Sequence, residues 1–207
     1  MVASADDLVD TSADAMRALG AAVSACGSLA SVNLSTCRLT AGGVLALVEG
    51  VAWAEAGLAQ LDLGGNEPLD GPAGEALAKA LAAAPPSLQT LVLGPKSTRL
   101  ALRECEGASL NLSGQGLGPG EVMVVAWYVS TAACAKVTAL DLGGNAVTDK
   151  GEDSGGLVAL GWALAGARLT SLGLNTCGLT AGDVQNLVES VAWAEVGLAQ
   201  LDQIGRA

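Results

Sequence analysis

Residues 29–62 read LASVNLSTCRLTAGGVLALVEGVAWAEAGLAQLD and residues 169–202 read LTSLGLNTCGLTAGDVQNLVESVAWAEVGLAQLD, with 24 of the 34 aligned positions identical. A duplication at so long a period decides the fold before local propensity is weighed. Inside it runs a shorter pattern, L-x-x-L-x-L-x-x-(N/C)-x-L. The pattern fits Leu29, Val32, Leu34, Cys37, Leu39; Leu58, Leu61, Leu63, Asn66, Leu69; Val137, Leu140, Leu142, Asn145, Val147; and Leu169, Leu172, Leu174, Cys177, Leu179. Degraded versions hold Leu88, Leu91 and Leu93, then Gly107, Leu110, Leu112, Gln115 and Leu117, and a further one begins at Leu198 and Leu201. The starts fall 29, 30, 19, 30, 32 and 29 residues apart.

Two periodicities share each unit. Alternating leucines such as Leu61 and Leu63 point to one side of a strand. Val44, Leu47, Val48 and Val51, repeated as Val184, Leu187, Val188 and Val191, then follow the i, i+3, i+4, i+7 spacing of a helix. Each unit therefore has an apolar strand face and an apolar helix stripe that only a neighbouring unit can cover. The pattern resembles the leucine-rich repeat, and its length resembles the ribonuclease-inhibitor-like subclass, in which a short strand is followed by a full helix. That resemblance implies an α/β horseshoe with parallel strands on the concave face and helices on the convex face. It also implies that the Asn or Cys turns inward to satisfy backbone groups of the turn, and that the function is binding another protein, with no particular target specified.

The 207 residues are expected to form a single domain of about six to seven units, partial at both ends and irregular at 94–106. The chain is 51% hydrophobic, with 28 Gly and neither His nor Phe. The glycine and alanine bias reads first as filling of tight helix-to-strand contacts, and second as drift in base composition. A net charge of −11, from 21 acidic and 10 basic residues, disfavours nucleic acid or an anionic lipid surface as partner. Five cysteines without a CxxC or ligand cluster fit a reduced compartment or a free thiol. Cys37 and Cys177 occupy the turn position and read as structural, Cys26 and Cys134 fall near helix ends, and Cys105 lies in the irregular stretch. The start, MVASADDLVD, has acids where a signal peptide needs basic residues, and no segment reaches the roughly 18 apolar residues of a membrane span. An intracellular product, soluble or peripherally associated, is expected, with no transmembrane segment. Residues 12–26 read as the helix half of a unit, with Met16, Leu19, Ala22 and Val23 on one stripe, and LAQLDQIGRA begins a strand without a recognisable cap. The chain is then a fragment of a longer array, or a neighbouring protein covers its end.

Catalysis finds no support. Without histidine there is no Ser-His-Asp or Cys-His pair, the commonest zinc ligand is missing, and there is no Walker-type phosphate loop. No catalytic, cofactor or metal residue is assigned. Asp62, Asp141 and Asp202, with Asn33, Gln60, Gln200, Asn111 and Ser109, should line the concave face, either as a solvated surface or as a site for a basic peptide. The helices give a sharper candidate. With Val122, Val125, Val129 and Leu157, Leu160, Leu164 as buried stripes, Trp127 and Trp162 turn outward beside Met123, Val124, Tyr128 and Val158. An exposed apolar patch of this kind marks a protein or membrane contact. A helix register shifted by one residue would instead send one tryptophan inward. Trp53 and Trp193 fall at helix ends, where they pack against the following loop. Residues 94–106, with Lys96, Arg99 and Arg103, are a secondary contact region or a decayed repeat. The expected role is a non-enzymatic interaction or scaffold module, a subunit of a multi-protein assembly that can sit at a membrane. The alternative is a recognition fragment of a larger receptor or regulator.

Overall fold

The computed structural model describes the backbone of residues 5–105, 107–192 and 196–202, and the side chains of residues 13–105, 107–192 and 196–201. Strands and helices alternate except at β3–β5: α1 (Ala5–Ala25), β1 (Ser31–Asn33), α2 (Ala41–Gly50), β2 (Gln60–Asp62), α3 (Gly71–Ala83), β3 (Thr90–Leu93), β4 (Thr98–Ala101), β5 (Ser109–Asn111), α4 (Pro119–Ser130), β6 (Ala139–Asp141), α5 (Gly155–Gly166), β7 (Ser171–Gly173), α6 (Ala181–Ser190) and β8 (Gln200–Asp202). Two four-stranded sheets result, β1-β2-β3-β4 and β5-β6-β7-β8. All pairings are parallel except β3 with β4.

The middle residue of each repeat strand aligns with the next, Val32 on Leu61 on Leu91 in one sheet and Leu110 on Leu140 on Leu172 on Leu201 in the other. This row points into a layer formed with the helices, where Leu61, Leu63, Leu91, Leu93, Leu140, Leu142, Leu172 and Leu174 are buried. Fully burying one such side chain contributes about 1.5–3 kcal/mol. The helix stripes meet it from the other side, since Val44, Leu47, Val48, Val51, Val122, Val125, Val129, Leu157, Leu160 and Leu164 are all buried, but in the second copy only Leu187 and Val191 of the expected stripe are, with Val184 half-buried and Val188 exposed.

At the turn position the asparagines hold neighbouring units together. Asn66 Nδ2 donates to Leu34 O (2.9 Å) and Leu63 O (2.8 Å), and its Oδ1 accepts from Leu39 N. Asn145 repeats all three bonds with Leu112 O, Leu142 O and Leu117 N. Cys177 performs part of this role, its buried Sγ donating to Leu142 O at 3.3 Å, whereas Cys37 in the edge unit of β1 is exposed.

Four expectations are revised. The glycine bias serves helix-to-helix contact: a Cβ on Gly20 would press on Leu47 O and Gly50, and one on Gly74 would press on Gly120. For the same reason the buried face of α1 runs through Gly20 and Val23, leaving Leu19 and Ala22 exposed. The described part of the irregular segment, residues 94–105, holds no helix, as expected, but is not merely broken. It folds back as β4, with Leu100 paired to Leu91 and buried. Two of its basic side chains cap backbone carbonyls, Lys96 at Gly114 O and Arg103 at Pro85 O, both at 2.6 Å. Trp53 enters the core, its Nε1 donating to Val48 O at 2.9 Å. Trp193 and the side chain of Asp202 lie outside the described residues.

The duplicated unit is not packed identically in its two settings. In the second copy Thr148 Oγ1 donates to Asp183 Oδ2 (3.3 Å), and Asn186 Nδ2 donates to Ser154 Oγ (2.9 Å). The corresponding residues of the first copy are Gly43 and Ala46, and Gly43 faces Met16.

Candidate functional site

Missing a helix after β3, the chain places α4 directly against α3, and α5 follows against α4. Two carboxylates fix the helix starts. Gly118 has no side chain to cap α4, so Glu121 reaches back and Oε2 accepts from Gly118 N (2.9 Å), while Oε1 accepts from Leu69 N (2.9 Å) just before α3. Asp153 bridges Gly71 N at the start of α3 (2.8 Å) and Gly155 N at the start of α5 (3.0 Å). Glu121 is fully buried, and desolvation pushes its carboxyl up to about 7. The backbone amides of Leu69 and Gly118 oppose that rise, and the charge of Asp70 adds to it.

Between the three helices lies a groove of about 690 Å³. Ala78 and Ala82 of α3, Ala126 of α4, and Ala159 and Ala163 of α5 keep it open by their small size. Met123, Trp127, Val158 and Trp162 supply its large apolar surfaces. Trp162 lies two residues past buried Leu160, about 200° around the helix at 3.6 residues per turn. It is consequently 68% exposed, while Trp127 is partly buried. The charged lining residues, Glu75 and Lys79, neutralise each other at 2.7 Å. Helix α5, GGLVALGWALAG, carries no charge, yet its 12 residues span about 18 Å, short of the roughly 30 Å of a bilayer core. Among the described residues no helix is long and apolar enough to cross a membrane.

Four of the six residues expected on the patch, Met123, Trp127, Val158 and Trp162, thus line one groove. The other two do not face outward: Val124 is 0% and Tyr128 1% exposed. The irregular segment covers that side of α4, and Tyr128 Oη donates to Ala101 O at 2.8 Å. Sequence reasoning overlooked the alanines of α3 and α5. Their signal was a run of small residues at helical spacing next to an outward tryptophan.

The strand face is less concentrated. Asp62 and Asp141 lie in different sheets, and each uses Oδ1 to accept the amide two residues ahead, from Gly64 and Gly143 (both 2.9 Å). Asn33 and Asn111 do the same for Ser35 and Ser113. Gln60 is half-buried and Asn33 exposed. A depression of about 150 Å³ lies beside Asp141, Ser109, Ser171 and Asn175. Among the described residues no group of three or more Cys, Asp or Glu is placed to hold a metal ion.

The chain matches no curated protein. Residues 133–151 match the family model described as Leucine Rich repeat. This stretch contains β6, the buried Val137, Leu140, Leu142 and Val147, and the Asn145 turn, so the segment whose geometry shows the strand, the inward asparagine and the apolar frame is a leucine-rich repeat.

Proposed function

We propose that the protein is a non-enzymatic protein-interaction module, a horseshoe of leucine-rich units that docks into a larger assembly through the α3–α5 groove. The observation that carries this reading is Trp162, two-thirds exposed at the mouth of an apolar groove whose only lining charges cancel each other. The proposed occupant is an amphipathic helix of a partner protein with basic residues flanking its apolar face. A groove bordered by a helix about 18 Å long suits three helical turns, and a net charge of −11 attracts cationic flanks.

A 14-residue amphipathic helix of leucine and lysine serves as the probe, followed by tryptophan emission and light scattering. Binding with a blue shift, weakened at least tenfold by Trp162→Glu in a variant that keeps the wild-type circular dichroism, is the expected outcome. Self-association that Trp162→Glu abolishes would replace the foreign helix with a second copy of the chain. Binding that ignores Trp162→Glu but disappears at high salt would favour a basic peptide on the strand face, the reading supported by the depression beside Asp141.

A further inference from the structure

Cys105 and Cys134 belong to neither surface described above. Both are buried, at 7% and 2% exposure, and both carry free thiols. Their backbones meet where the irregular segment returns to the end of α4, with Cys105 N donating to Ala133 O at 3.1 Å. A bond between one cysteine and the residue covalently joined to the other sets the kind of approach a disulfide requires, about 4.4–6.8 Å between alpha carbons. The side chains also influence one another: burial raises the Tyr128 hydroxyl and the Cys134 thiol, and the neighbouring Cys105 thiol adds to both rises.

We propose that Cys105 and Cys134 form a dithiol site that a small-molecule disulfide oxidises to an intramolecular disulfide, locking the irregular segment onto the end of α4. The two sulfurs are not equivalent. Burial pushes the Cys134 thiol up to about 12, whereas Cys105 is the more exposed and lies in the irregular segment. Glutathione disulfide therefore meets Cys105 first, whose thiolate attacks one sulfur of the disulfide, breaking that S–S bond and releasing one glutathione thiolate. Cys134 then loses its proton and attacks the Cys105 sulfur, displacing the second glutathione. The two protons end on the two glutathione molecules. The protein dithiol is oxidised by two electrons, and glutathione disulfide is reduced by the same two.

The experiment uses the full chain carrying Cys26→Ser and Cys37→Ser, which removes the two exposed thiols and leaves three of the five. After incubation with excess glutathione disulfide at pH 8, alkylatable thiols are counted in denaturant, and the protein is cleaved after glutamate. Glu121 separates the two cysteines, so their disulfide gives a linked peptide pair. The expected result is a fall from three thiols to one, with Cys177 remaining. Cys134→Ser in the same background should trap one glutathione on Cys105. Three intact thiols under conditions that fully modify Cys26 and Cys37 in the wild type would overturn the proposal. So would a Cys105–glutathione adduct that persists with Cys134 present. Alkylation of Cys177 under native conditions reports unfolding, so loss of structure is not mistaken for site reactivity.

Discussion

Thr176 occupies the left-handed region at φ 58°, the turn position taken by Gly65 and Gly144 in other units. A β-branched residue is strained there by about 1–3 kcal/mol, and glycine returns part of that gain as backbone entropy in the unfolded chain. Thr176→Gly is therefore expected to raise stability by about 1 kcal/mol, read as a higher urea midpoint at unchanged slope. An unchanged or lower midpoint would mean that contacts of the threonine outweigh its strain. The inward asparagines were legible residue by residue, because Asn66 and Asn145 fall at a fixed place in the pattern and their three bonds recur. The aspartates were legible in position only. Asp62 and Asp141 lie on the strands as expected, but each turns an oxygen onto its own turn, a local competition that spacing does not reveal.

Among the elements, α4 depends most on a single side chain. Glu121 has a folded pKa of about 7 against an ordinary 4.5, so between those values the folded state binds the proton more tightly than the unfolded state. Its contribution is most favourable below about pH 4.5 and is lost as pH rises to 7, above which the buried charge costs about 3 kcal/mol. Wild type measured against Glu121→Gln should accordingly lose about that much relative stability between pH 4.5 and 7.5, in denaturant titrations at several pH values. A pH-independent difference between the two would contradict the assignment. The core stripes of α2, α4 and α5 were readable because helical spacing is local. Tyr128 was not, because it bonds Ala101 of the antiparallel strand β4, whose buried Thr98 and Leu100 alternating with exposed Arg99 and Ala101 were too short a signal.

At the scale of the molecule, the eight strands among the described residues form two sheets while the helices pack in unbroken sequence from α1 to α6. The halves are joined through α3 against α4, where Gly74 meets Gly120 and Gly120 N donates to Leu69 O at 2.9 Å. In a stacked array stability is a sum of unit and neighbour terms, so weakening one joint separates what lies on either side of it. By calorimetry the wild type is expected to unfold in a single thermal transition and Gly120→Val in two. A single transition at lower temperature would show that other contacts carry the coupling. Two polar bonds that tie the second copy to the preceding unit, from Thr148 to Asp183 and from Asn186 to Ser154, bear on how the chain finds its order. Two units with 24 identical positions are similar enough to compete for each other's berth during folding. Seating the second copy where the first belongs would bring a carboxylate and an amide to the places of Gly43 and Ala46, with Met16 as neighbour in place of a hydroxyl. Thr148 and Ser154 would then serve as an address for the second copy, a berth in which its carboxylate and amide find partners beyond their own helix.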